Sequence, residues 1–137
     1  MCVDCGHVQQ LDVVDSKSLW ENYTYHSSDA IGMVEHFSEV ANEIIQKYKP
    51  KSNSLVIDIG SNDGALLQEF KKSGLRVLGV DPAIEIARKA TQHGVETIPE
   101  LMSIQLADQI YKNYGEAEII CVFNAFAHAD KIGRAHV

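Results

Sequence analysis

Between Val56 and Leu67 the chain reads VIDIGSNDGALL: an apolar run stops at a carboxylate, and two glycines then bracket a short polar loop. A strand–loop–helix junction of this kind holds nucleotide-like ligands. Glycines let a ligand come close to the backbone, and amides at the start of the following helix can face it. Asp81 ends the next apolar run, 21 residues after Gly60, where an acid commonly accepts hydrogen bonds from ribose hydroxyls. Two spacings compete over the loop. A dinucleotide fingerprint, G-x-G-x-x-G/A, places Asn62 at the second glycine, where its side chain would crowd a pyrophosphate, although Ala65 satisfies the third position. The alternative is D-x-G-x-N-x-G, met by Asp58, Gly60, Asn62 and Gly64, with Ser61 between them. The loop carries no lysine followed by serine or threonine, which excludes a phosphate-binding P-loop.

The elements that must position these residues follow from periodicity. LVIDI is a strand, ALLQEFKKS a helix closed by Gly74, and RVLGV a second strand. A helix is expected from Pro82 to His93 with Gly94 as its stop, then a short strand VETI, a helix MSIQLADQIYKNY ending at Gly115, and a fourth strand AEIICVF. Strands alternating with helices over short connections imply a parallel sheet in the order 3-2-1-4, an α/β, Rossmann-like fold. In such sheets ligands lie at the carboxyl ends of the strands, beside the switch point next to the first strand. Upstream, Met33, Val34, Phe37, Val40, Ala41, Ile44, Ile45 and Tyr48 form the apolar face of a helix running through Lys49, with Ser27, Ser28 and Asp29 as candidate N-caps. Residues 1–28 are polar and aromatic with little periodicity.

The D-x-G-x-N-x-G spacing resembles motif I of the class I S-adenosylmethionine-dependent methyltransferases, with Asp81 as their second-strand acid. That cofactor carries no phosphate, but its amino group and sulfonium are both favoured by carboxylates. Asp58 and the loop would face the methionine end and Asp81 the ribose. Together CxxCGHVQ, YTYHSS, DIGSNDGALL, LGVDPA and FNAFAHAD resemble the zinc-containing C-methyltransferases that act on nucleotide-linked deoxysugars.

That resemblance implies several roles. Cys2 and Cys5 match the second of two CxxC pairs that hold a structural zinc, so within this sequence they are a half-site. Tyr25 matches an aromatic residue that reaches into the sugar pocket. His128 matches a histidine following the fourth strand, and Tyr25 or His128 would orient the sugar or stabilise an enolate oxygen. Asn124, taken as the end of that strand, would contact the cofactor, and Val95 to Pro99 would run beneath the adenine. Cys121 reads as core, and His7, His26, His36 and His93 receive no role. The implied substrate is a nucleotide-linked ketosugar, methylated on carbon through an enolate. The principal base is expected from a further, C-terminal domain.

The expected organisation is residues 1–28 as the second half of a zinc module, 29–53 as helix and linker, 54–130 as the first part of the methyltransferase domain, and 131–137 as a non-native tail. The tail, KIGRAHV, follows NAFAHAD abruptly and matches a reading frame of a widely used sequencing-adapter oligonucleotide. The net charge of −7 and the lack of a basic tract argue against nucleic acid or an anionic membrane as partner. No apolar run approaches a membrane span, and Cys2, Cys5 and Cys121 do not look like a disulfide framework. A cytoplasmic protein is expected. An NAD-dependent oxidoreductase and a non-catalytic nucleotide-binding domain stand as alternatives, which NADH binding and turnover would distinguish.

Overall fold

A computed structural model describes residues 1–8 and 14–128; the expected tail, residues 131–137, lies outside them. Four strands, β1 (Leu55–Ile59), β2 (Arg76–Val80), β3 (Thr97–Ile98) and β4 (Ala117–Cys121), form one parallel sheet in the order β3-β2-β1-β4. This is the expected order. A parallel sheet is covered on both faces, which is why Leu55 to Asp58 of β1 are all buried. On one face Val56 packs with Leu66, Leu67 and Phe70 of α3 (Ala65–Lys72) and Ala41 of α2 (Met33–Tyr48). On the other, Leu55 and Ile57 pack with Leu78, Val80, and Leu106 and Ile110 of α5 (Ile104–Tyr114). The helix between β2 and β3, α4 (Ile84–Gln92), buries Ile86, Ala87 and Ala90. Phe70 is the largest side chain fully removed from water; burial of such a ring contributes about 1.5–3 kcal/mol.

Several boundaries differ from expectation. Ser27–Asp29 form a 3-10 turn and do not cap α2, which starts after Gly32 in the left-handed region, φ 78°. The helix α4 begins at Ile84, because Asp81 Oδ1 accepts the Ala83 N–H and keeps Pro82 and Ala83 in a turn. Ser103 caps α5 by accepting the Leu106 N–H, so Met102 stays outside. The ladder of β3 is two residues long and that of β4 stops at Cys121. The N-terminal segment holds a short helix not foreseen, α1 (Ser16–Trp20), capped by Asp15, whose Oδ2 accepts from Ser18 N and Oγ. Among the described residues no helix is long and apolar enough to cross a membrane.

Candidate functional site

Asp58 lies inside the sheet, paired in register with Gly79 of β2 and Cys121 of β4. Its side chain is buried and Oδ1 has no hydrogen-bond partner. A carboxylate withdrawn from water without compensating donors resists ionisation. Burial, helped by the charge of Asp81, raises its pKa to about 7. The buried Cys121 thiol beside it is pushed up to about 12, by burial and then by Asp58.

After Ile59 the chain folds back over the end of β2. Gly60 N–H and Ser61 N–H both donate to Val80 O, at 2.7 and 3.3 Å. A Cβ at Gly60 would sit 2.5 Å from the Ala125 Cβ, so only glycine lets the loop after β4 close this tightly, and its φ of +77° requires one as well. Asn62 N–H donates to Asp81 Oδ2, Asp63 N–H to Asn62 Oδ1, Gly64 N–H to Ser61 O and Ala65 N–H to Asp63 Oδ1. Each N–H from Gly60 to Ala65 thus has an acceptor within the chain, and Leu66, in the first turn of α3, lines the cavity described below. Ser61 Oγ, like Asp58 Oδ1, is buried without a partner.

Asp81, just past β2, accepts from Asn62 N–H with one oxygen and Ala83 N–H with the other. Burial, with a smaller push from the Asp63 charge, raises its pKa despite those two hydrogen bonds. Each carboxylate oxygen has a second lone-pair direction, so the group can still accept from a ligand hydroxyl.

One cavity of about 860 Å³ opens above the ends of β1, β2 and β4, and Tyr25, Asp58, Gly60, Ser61, Asn62, Asp81, Asn124 and His128 all line it. Gly64 does not; it shapes the entry to α3, pressed against Val95. Asn124 lies three residues beyond β4, not at its end, in the left-handed region at φ 54°. Val95 is fully buried in the core, and Glu100, Leu101 and Met102 line the cavity where Val95 to Pro99 were expected. Because β3 ends at Ile98, the Glu100 N–H can turn back onto Ile98 O and swing the next residues over the opening. Sequence reasoning also missed Trp20, whose ring lies tilted against His128 at 5.1 Å and edge-to-face with Tyr23 at 5.4 Å, with Tyr23 6.3 Å from Tyr25. The density of aromatic residues in LWENYTY was the available signal. Asp63 was passed over although it stands inside the motif.

Cys2 and Cys5 lie away from this cavity, exposed in a tight turn with Gly6 N–H donating to Cys2 O. Backbone N–H groups of Cys5 and Asp4 lower the pKa of Cys2. Among the described residues no three histidine, cysteine or acidic side chains come close enough to hold a metal. Two thiols supply half of a tetrahedral set, so a fully coordinated zinc does not fit the residues described.

No family model matches the chain. The C-methyltransferase NovU of Streptomyces niveus is 32% identical over 132 residues, covering 96% of this chain and 31% of NovU. The chain thus spans about a third of the length of that relative. Among solved structures, the magnesium protoporphyrin IX methyltransferase ChlM from Synechocystis PCC 6803 with bound SAM superposes with a TM-score of 0.54 at 15% identity, over 72% of this chain and 48% of ChlM. That likeness is one of fold. In sequence the chain is thus similar to a C-methyltransferase, and in fold to a class I S-adenosylmethionine-dependent methyltransferase.

Proposed function

We infer that this chain forms the cofactor-binding part of an S-adenosylmethionine-dependent C-methyltransferase whose substrate is a nucleotide-linked ketosugar. The observation that carries the cofactor assignment is the pairing of occupied amides with an unpartnered carboxylate. Six consecutive N–H groups of the loop already have acceptors, and a pyrophosphate seated on the loop would have to displace them. Asp58 Oδ1 has no donor, and a cationic amino group would supply one. This also disfavours a dinucleotide.

When bound, S-adenosylmethionine supplies an electrophilic methyl group on a sulfonium. Asp58 would hold its amino group, Asp81 its ribose hydroxyls, and Leu101 and Met102 would cover an apolar ring. Tyr25 and His128, on the same cavity, would orient the ketosugar and hold the charge that forms on its enolate oxygen once the proton beside the carbonyl is removed. That proton would be taken by a base in the remainder of the longer protein. The carbon chemistry rests on similarity to NovU, and the sugar on the five quoted segments. A structural zinc would be completed by ligands other than those described, and a cytoplasmic setting would keep Cys2 and Cys5 as thiols able to ligate it.

A two-dimensional amide spectrum of the chain, titrated with S-adenosylhomocysteine and separately with NADH, tests this. Shifts at Gly60, Gly64 and Asp81 with the former alone are expected. A selective response to NADH would move the chain to the oxidoreductases, and no response to either would overturn the cofactor assignment.

A further inference from the structure

The polar centre of the motif loop points away from the sheet and grips a distant part of the chain. Asn62 Nδ2 donates to Tyr25 O at 2.8 Å, and Asn62 Oδ1 accepts from Ser27 N–H at 2.9 Å. Asp63 Oδ2 accepts from both Ser28 N–H and Ser28 Oγ, at 2.9 and 2.6 Å. Four hydrogen bonds thus clasp residues 25–28, and those to Asp63 are charge-assisted, the stronger kind. Upstream the same segment is pinned where Ile84 N–H, at the start of α4, donates to Glu21 O. Asn62 is held from behind as well, since its N–H donates to Asp81 Oδ2 at 2.8 Å. Its left-handed φ of 51° is a conformation asparagine tolerates.

An unbroken hydrogen-bonded path therefore runs from the Asp81 carboxylate through Asn62 to the backbone of Tyr25 and Ser27. The aromatic row of Tyr25, Tyr23, Trp20 and His128 hangs on that segment and on the loop after β4, and all four rings line the cavity. We propose that Asn62 and Asp63 are positioning residues that couple occupation of the cofactor site to docking of the Tyr25–Ser28 segment against it. The coupling rests on the S-adenosylmethionine assignment above. A ligand that engages Asp81 and fixes the loop also fixes the segment that carries Tyr25, and loosening the segment weakens the ligand by the same factor.

The experiment measures amide hydrogen exchange at Ser27 and Ser28, and affinity for S-adenosylhomocysteine by calorimetry, in the unaltered chain, Asn62→Gly, Asp63→Asn and Ser28→Ala. Asn62→Gly keeps a residue suited to the left-handed turn and the N–H to Asp81 but removes the grip on Tyr25 and Ser27. Ser28→Ala alters only the exposed segment. Binding should slow exchange at both amides by about tenfold in the unaltered chain, and by far less in Asn62→Gly. Loss of one charge-assisted bond in Ser28→Ala should raise the dissociation constant roughly threefold to tenfold. Pairing it with Asp63→Asn should add little, since both act on one contact. Slowed exchange that persists in Asn62→Gly, or unchanged affinity in Ser28→Ala, would overturn the coupling. So would binding that leaves both amides untouched in the unaltered chain, with the cofactor assignment intact. Failure of S-adenosylhomocysteine to bind the unaltered chain would remove that assignment and the coupling together. If Asp63→Asn loses its dispersed amide spectrum, Ser28→Ala and the exchange data decide.

Discussion

Asp58 is the residue on which most of the site's electrostatics turns. Its folded pKa of about 7 lies above the ordinary carboxylate value of 3.8, because burial disfavours the charged form and Asp81 adds to the effect. The folded chain therefore holds a proton that the unfolded chain has lost, and the stability linked to this group falls as pH rises from about 4 to about 7. The change amounts to at most about 4 kcal/mol. Urea unfolding at pH 5 and pH 8 should show a loss of stability that Asp58→Asn largely removes, and the difference between the two proteins isolates this group. Parallel behaviour would mean that Asp58 is ionised in the fold at both values. Ligand binding carries the opposite sign. A cationic amino group favours the ionised carboxylate, so affinity for S-adenosylhomocysteine should rise as pH passes through about 7 in the unaltered chain. In Asp58→Asn it should be weaker and nearly flat, and a matching pH profile in both would detach Asp58 from the amino group.

The junction β1–loop–α3 works because β2 leaves room for it. Gly79, in the middle of β2, has a conformation open to any residue, yet a Cβ there would meet Ser61 Oγ at 2.5 Å and Thr97 Oγ1 at 2.6 Å. Gly79→Ala should cost about 1–3 kcal/mol by overpacking, seen as a lower urea midpoint, and should disturb the loop through Ser61. An unchanged midpoint would show that both hydroxyls can turn aside. These elements also show what the sequence made legible. LVIDI, RVLGV and the α3 segment were placed nearly to the residue, because a buried parallel strand and a two-faced helix print their periods directly. Strands β3 and β4 were drawn too long: Val95 and Phe123 are apolar like strand residues, but the ladder is set by neighbouring backbones. Ser27 and Ser28 looked like caps and are instead bound to Asn62 and Asp63, 35 residues away. Most of the residues named from the sequence line one cavity. The acceptors that occupy the loop's amides, such as Val80 O and the Asp81 carboxylate, are visible only once the sheet is assembled.

At the scale of the whole molecule, stability and metal chemistry separate. Both core clusters are built from the sheet and its flanking helices, residues 41 to 121, and neither includes a residue of the first 28. Cys2 and Cys5 are exposed and bring two ligands where tetrahedral zinc requires four. A structural metal stabilises a fold by the free energy with which the folded state binds it in excess of the unfolded state. Two thiols in a short turn lie equally close in sequence when the chain is unfolded, so that excess should be small. Thermal melts followed by circular dichroism in excess chelator and with equimolar zinc should then superimpose to within about 1 °C. In a domain of this size roughly 4 °C corresponds to 1 kcal/mol, so a shift that large would show further ligands gathering around Cys2 and Cys5. The same comparison made on a protein in which a second pair of thiols completes the site should behave differently, with chelation loosening the N-terminal segment first. That segment also carries Tyr25 and Trp20, so metal loss there should reach the cavity through the Asn62–Asp63 clasp while leaving the sheet folded.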